Sequence, residues 1–285
     1  MTMKKLLLIT LLITGLFANK NVDKALEYIK KKEFKQARIL LEKESKKGDA
    51  QAQYIFGFMF YNGKGAKQDY KKALTIFQKS AEQEYTPAIF ILGVMYDVGQ
   101  GVQQNFKKAI EFYKKSADQG YAQAQYNLGV MYDKGHGVKQ NYKKAVKFWQ
   151  KSADQGFALA QSNLGSMYEV GQGVKQDYKK ALELYKKSAN QGVAQAQYNL
   201  GFLYFHGKGV KQDYKKALEL FQKSANQGFV EAQYYLGFMY IKGQGVKQDY
   251  KKAREYWQKS ADQGDTKSQH NLNILCKKFS WVCNQ

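Results

Sequence analysis

The sequence predicts an all-α fold, a solenoid assembled from copies of one helix pair, and three observations carry that reading. First, "YNGKGAKQDYKKA" from Tyr61 returns in related form every 36 residues as far as "IKGQGVKQDYKKA" from Ile241, a period expected of stacked repeats. Second, the apolar residues between these stretches recur at intervals of three and four, the spacing of one helix face. Third, Asp69, Asn105, Asn141, Asp177, Asp213 and Asp249 each precede a second apolar run, and Asp and Asn cap helix N-termini because their side chains accept from free backbone amides.

Residues 1–18, "MTMKKLLLITLLITGLFA", read as a signal peptide. Lys4 and Lys5 open the stretch, an apolar run of 12 residues extends from Leu6 to Phe17, and Ala18 offers a small residue for cleavage. A membrane-spanning helix needs about 20 apolar residues, which makes an anchor the weaker reading. The mature chain is expected to start near Asn19 and to be secreted or periplasmic.

Residues 19–47 form an N-terminal capping helix pair: Phe34, Ala37 and Leu41 stand 36 residues ahead of Tyr70, Ala73 and Phe77. Six repeats follow over 48–263, at 48–83, 84–119, 120–155, 156–191, 192–227 and 228–263. In the repeat at 120–155, the first helix turns Ala124, Leu128, Met131 and Tyr132 inward. Gly129 lies on its flank and returns as Gly57, Gly93, Gly165, Gly201 and Gly237. A helical glycine costs about 1 kcal/mol against alanine, so a close packing contact is expected there. The second helix starts after Asn141 and has the inner stripe Tyr142, Ala145, Val146, Trp149 and Ala153.

The loop "YDKGHGVKQNYKKA" between these helices resembles a phosphate cradle only superficially. A dinucleotide fingerprint follows a strand and has a third glycine, whereas here a helix precedes and Gln140 fills that place. Gly135 is expected to end the first helix in the left-handed conformation, and Gly137 to let the chain turn again with Val138 directed into the core.

Residues 264–285 form a C-terminal capping helix and tail, with Asn273 in the glycine place because nothing packs over that flank. Cys276 and Cys283 lie in this tail. In one unbroken helix their Cα atoms would be about 10 Å apart, beyond the ~7 Å limit of a disulfide. Bonding therefore requires a turn between them. A disulfide in an oxidising compartment and two buried thiols both remain open.

The pattern "AQAQYNLGVMYDKGHGVKQNYKKAVKFWQKSADQG" resembles the Sel-one-like repeat, a relative of the tetratricopeptide repeat. The resemblance implies an α/α right-handed superhelical solenoid of antiparallel helix pairs, and a role as an adaptor that binds other proteins. A cysteine-rich branch of that family is described as β-lactamase-like or penicillin-binding, and this implies a hydrolase as the alternative function. That branch pairs a cysteine late in the second helix with one in the next first helix. Here Ala117 with Gln125, Ala153 with Gln161, and Ala189 with Gln197 stand in those places.

No catalytic set is visible. The S-x-x-K and K-T-G of a β-lactamase are missing, as are G-x-S-x-G, H-E-x-x-H and C-x-x-C. His136, His206 and His270 sit in different repeats without a second ligand at helical spacing, so neither a metal nor a cofactor is expected.

Two surfaces remain as candidate binding sites. By analogy with tetratricopeptide superhelices, the outer side of the first helices lines a concave surface. Asn127, Asn163, Asn199 and Tyr235 share one register there, and Val130, Ser166, Phe202 and Phe238 share another. The amides can both donate to and accept from the main chain of an extended peptide, and the exposed Phe and Val can take its side chains. The second surface is basic. The stretches equivalent to "VKQNYKK" hold 17 lysines against four aspartates, and stacking would align Lys143, Lys144, Lys179, Lys180, Lys215, Lys216, Lys251 and Lys252 as a ridge. Lysines at helix starts oppose the helix dipole, so they do not look chosen for stability. With a formal net charge of +22, the ridge suits anionic envelope polymers or a membrane surface, and export sets nucleic acid aside.

Overall fold

The computed structural model describes residues 19–283; the expected signal peptide at 1–18 lies outside the described residues. The described residues form sixteen helices and no strand, and the chain divides into two compact units, Met1–Tyr121 and Ala122–Gln285.

The first unit contains α1 (Lys20–Lys30), α2 (Phe34–Lys46), α3 (Ala50–Asn62), α4 (Tyr70–Glu82), α5 (Thr86–Val98) and α6 (Phe106–Asp118). Asn19 caps α1: its Oδ1 accepts from the Asn21 amide at 3.1 Å, and its Nδ2 donates to Glu44 at 2.9 Å and to Asp49 at 3.0 Å. Glu44 is buried, and the hydrogen bonds from Asn19, Lys47 and Asn21 pull its pKa down to about 2. The N-terminal pair is thus tied to the start of the first repeat. α3 and α5 are apolar nearly all round, and the stretches Ala52–Tyr61 and Ala88–Tyr96 are buried throughout.

The second unit contains α7 (Ala122–Lys134), α8 (Tyr142–Asp154), α9 (Ala158–Val170), α10 (Tyr178–Asn190), α11 (Ala194–His206), α12 (Tyr214–Ala225), α13 (Val230–Lys242), α14 (Tyr250–Ala261), α15 (Thr266–Lys278) and the short α16 (Ser280–Cys283). Within each unit a first helix packs on the second helix of its own pair and on that of the pair before. This is the α/α solenoid arrangement that the repeat period predicts.

Paired helices are antiparallel, and a fully buried serine shows why. Ser152 in the last turn of α8 donates to the carbonyl of Ala122, the first residue of α7, at 2.7 Å. Ser80 to Ala50, Ser188 to Ala158 and Ser224 to Ala194 repeat the bond at 2.7 Å. At the other end of the pair the capping residue begins the second helix: Asn141 Oδ1 accepts from the Lys144 amide at 2.9 Å. Gly135 closes the first helix at φ 73°, the left-handed conformation expected of it.

The six flank glycines share one packing reason. A Cβ on Gly129 would lie 2.3 Å from Trp149 Nε1, and one on Gly57 would lie 2.6 Å from the Phe77 ring. In every repeat the aromatic of the second helix lies flat against this glycine. Trp149 also donates to the Tyr126 carbonyl at 3.1 Å, so its orientation is fixed. Asn273, in the glycine place of α15, is exposed.

Neighbouring repeats are joined by glutamines. Gln161 is 4% exposed; its Nε2 donates to the Ala153 carbonyl of the preceding helix at 3.3 Å, and its Oε1 accepts from Gln191 at 2.9 Å. Gln197 and Gln233 make the same two contacts, to Ala189 and Gln227 and to Ala225 and Gln263. Hydrogen bonds thus span Ala153 with Gln161 and Ala189 with Gln197.

Among the described residues two buried side-chain oxygens are left over, Ser268 Oγ and Gln244 Oε1. Gln244 Oε1 has no partner, whereas Gln100 Oε1, in the same place of an earlier repeat, accepts from the Tyr61 hydroxyl. Four repeats beyond Tyr61 the chain has Phe205, which cannot donate. Phe205→Tyr is expected to raise stability by about 1 kcal/mol by supplying the missing hydroxyl. A urea midpoint that stays put or falls would show that the two groups do not meet.

Candidate functional site

The stripe expected to bind peptide lies on α7, α9, α11 and α13. Asn127, Asn163, Asn199 and Tyr235 hold one register of it, and Val130, Ser166, Phe202 and Phe238 the other. All eight are half-buried rather than exposed, which corrects the expectation for Val130, Phe202 and Phe238. The cause is aromatic packing along the stripe. The Phe202 ring meets Tyr235 edge-on at 5.8 Å and His206 at 4.3 Å, and Phe238 meets Phe205 at 6.3 Å. At the same registers of the first unit, Ile55, Phe58, Ile91 and Val94 are buried, so the polar part of the stripe belongs to the second unit.

Two of the asparagines stand beside tyrosine hydroxyls: Asn163 acts on the titration of Tyr126, and Asn199 and Ser166 on that of Tyr185. The Tyr185 hydroxyl itself donates to Glu169 at 2.8 Å. Burial, reinforced by the Glu169 charge, holds the Tyr185 pKa well above the ordinary phenol value, so it acts here as a neutral hydroxyl. Tyr198 is likewise pushed up, first by burial and then by Tyr235. Desolvation and the nearby Lys208 charge lower the His206 pKa. An asparagine side chain carries two N–H donors and a carbonyl acceptor, enough to engage the main chain of another segment. The sequence located the asparagines, but the tyrosines beside them come from the next register and from the second helices.

The lysine ridge divides into two classes. The second lysine of each pair stands over an aromatic ring at the end of the first helix in its own repeat. Lys72 Nζ lies 4.3 Å from the Phe60 centroid, and Lys108 lies 5.2 Å from Tyr96. Lys144, Lys180, Lys216 and Lys252 lie 5.2, 5.1, 5.4 and 5.5 Å from Tyr132, Tyr168, Tyr204 and Tyr240. Such contacts contribute about 0.5–1 kcal/mol each at exposed sites. The expectation that these lysines have no part in stability is therefore corrected for this half of the ridge. Lys143, Lys179, Lys215 and Lys251, the first of each pair, are exposed. The signal for the difference is in the sequence: the aromatic always precedes the second lysine by twelve residues.

Cys276 and Cys283 are bonded, with Cα atoms 5.6 Å apart. The chain turns between them at Phe279, where α15 gives way to α16. Among the described residues no three His, Cys, Asp or Glu side chains cluster as metal ligands, and no helix is long and apolar enough to cross a membrane.

The comparisons with known proteins agree with this architecture. The Sel1 repeat family model matches residues 50–85, 86–121, 122–157, 158–193, 194–229 and 230–265. No curated protein matches. A protective antigen of uropathogenic Escherichia coli with an SLR fold is 37% identical with a TM-score of 0.79, over 85% of this chain and 52% of its own. This chain therefore spans about half of that antigen. A Sel1 repeat protein from Oxalobacter formigenes is 29% identical with a TM-score of 0.76, over 85% of this chain and 97% of its own. Cys276 and Cys283 fall outside the six matched spans. With six copies of that unit covering most of its length, the chain belongs to the Sel1 repeat family and is a helical repeat scaffold.

Proposed function

We propose that the second unit binds an extended segment of another protein along α7, α9, α11 and α13. Sel1 repeat proteins generally bind other proteins. The observation that favours this stripe is the register of half-buried asparagines, Asn127, Asn163 and Asn199, leading to the half-buried rings of Phe202, Tyr235 and Phe238. The amides would hold the main chain of the segment, and the rings would take its apolar side chains. Nothing in the geometry favours the hydrolase alternative, and it is not proposed.

The test uses short linear peptides selected from a displayed library on the wild-type protein. Replacing Asn127, Asn163 and Asn199 together with alanine is expected to abolish their capture and to leave the circular dichroism melt in place. Capture that persists in the folded triple variant overturns the reading. The scaffold would act outside the cytoplasm after cleavage at Ala18, which N-terminal sequencing of envelope-derived protein checks. The lysine rows would give the same scaffold a second surface, open to anionic partners. The exposure of Lys143, Lys179 and Lys215 beside the ring-held lysines supports that addition.

A further inference from the structure

We infer that in the uncleaved chain the apolar run at residues 6–17 docks on the first unit, against Ile55 and Phe58 of α3 and Ile91 and Val94 of α5, and that cleavage after Ala18 uncovers this face. The docking is independent of the peptide stripe on the second unit. Only its release rests on the cleavage proposed above.

Like residues at like registers differ in cover between the two units. Phe58 is 7% exposed, whereas Phe202 and Phe238 are half-buried; Val94 is 6% exposed, whereas Val130 is half-buried. Ile55 and Ile91, at the register that holds Asn127, Asn163 and Asn199, are 3% and 4% exposed. Side-chain size does not explain the contrast, and neither does packing on the second helices, which both units share. Ring neighbours do not explain it either, since Phe202 meets Tyr198, His206 and Tyr235 much as Phe58 meets Tyr54, Tyr61 and Phe77. A helix that is apolar nearly all round needs cover on its outer side as well. The face of α3 and α5 therefore calls for an apolar layer beyond the helix pairs.

The chain carries such a layer next to this face. Residues 6–17 are 12 in number and include no charge. The described structure begins at Asn19, whose Nδ2 donates to Asp49 at 3.0 Å, and Asp49 caps the start of α3 by accepting from the Ala52 amide at 2.7 Å. Ala18 alone separates the run from that point. Coiled as a helix, 12 residues would extend about 18 Å, close to the ~20 Å of the 13-residue α3. So short a tether gives a local concentration on the order of millimolar, an advantage that a free apolar segment of another protein lacks. Docked in this way, the run is sheltered from water before export, and the face stays closed to partners until the run is cut away.

The experiment places a benzoylphenylalanine photocrosslinker at Phe58 or at Val98 in the full chain, made by cell-free synthesis so that residues 1–18 stay attached. Val98 lies one turn beyond Val94 and is 49% exposed, so a probe there leaves the core undisturbed. Isotope-labelled and unlabelled chains are mixed before irradiation, mass spectrometry locates the crosslinks, and a probe at Asn163 serves as the control. The expected result is crosslinks from both first-unit positions to residues 6–17 of the same chain, and none to that run from Asn163. Leu8→Asp with Leu12→Asp changes the run and no residue of the described fold. It should lower the crosslinks about tenfold or more, because an apolar face cannot solvate a carboxylate. Crosslinks that join labelled to unlabelled chains assign the face to a second copy and overturn the docking. Crosslinks that miss residues 6–17, or that persist undiminished in the aspartate variant, overturn it as well. The chain starting at Asn19 should bind an apolar dye more strongly than the full chain; equal binding, with both folded by circular dichroism, overturns the uncovering. An uncut N-terminus in envelope-derived protein overturns the release alone and leaves the docking to the crosslinks.

Discussion

Gly129→Ala is expected to destabilise the second unit by about 2 kcal/mol, although alanine in mid-helix ordinarily gains about 1 kcal/mol over glycine. The added methyl would stand 2.3 Å from Trp149 Nε1 and 2.4 Å from Cδ1. Trp149 is 3% exposed in a core that includes Leu164 and Met167, so the ring has no open space to enter. Moving it also stretches the 3.1 Å bond to the Tyr126 carbonyl. Overpacking costs about 1–3 kcal/mol and a lost hydrogen bond about 1 kcal/mol, and together these outweigh the propensity gain. Urea denaturation measures the difference. The double variant Gly129→Ala with Trp149→Leu supplies the control: if the clash is the cause, alanine should cost much less when the ring is already gone. An equal penalty in both backgrounds would show that the glycine serves something other than the ring.

The second large effect is expected at Gln161. Its replacement by alanine removes a buried side chain, one donor to the Ala153 carbonyl, which keeps the Gly156 amide, and one acceptor of the exposed Gln191 amide, which keeps the Gly156 carbonyl. A loss of about 2–3 kcal/mol follows, chiefly from the cavity. Gln161→Leu should cost about half as much, since it refills the space. In a repeat array each interface adds to cooperativity, so the alanine variant should also broaden the transition or split it in two. A sharp single transition with an unchanged midpoint would mean that the glutamine does not couple the repeats. Of the two equivalent places in the first unit, Gln53 makes both bonds, to the Ser45 carbonyl and with Gln83, whereas Ile89 is fully buried. There Gln119 bonds to Thr86 and Glu84 instead, an apolar solution to the same packing problem.

Most of the helix pairing was legible because each repeat states its rules six times. Gly129 and Trp149 keep one spacing in every copy, as do Asn141 and its equivalents, and these pairs emerge from the structure in contact or in the capping role expected. Long-range polar bonds were not legible. Nothing in the spacing of Ser152 and Ala122, or of Gln161 and Gln191, separates a buried hydrogen bond from a surface choice, because the bond depends on which helix end folds back. The ring-held lysines were misread for a related reason. The dipole argument treats Lys144 by its own helix alone, whereas the Tyr132 ring that receives it belongs to the helix before. The stripe was placed correctly on the first helices, but its half-burial follows from cross-repeat contacts such as Phe202 with Tyr235.

The glycine and its aromatic, the serine and its carbonyl, and the lysine and its ring all close inside a single 36-residue copy. Between copies, the glutamine bonds and the loop glycines of the second unit return with equivalent partners, while ring contacts such as Phe202 with Tyr235 vary. A gene of this design can therefore gain or lose whole segments through duplication or unequal exchange while keeping most of its contacts. Its reach along a partner can change by recombination faster than its chemistry can change by point mutation.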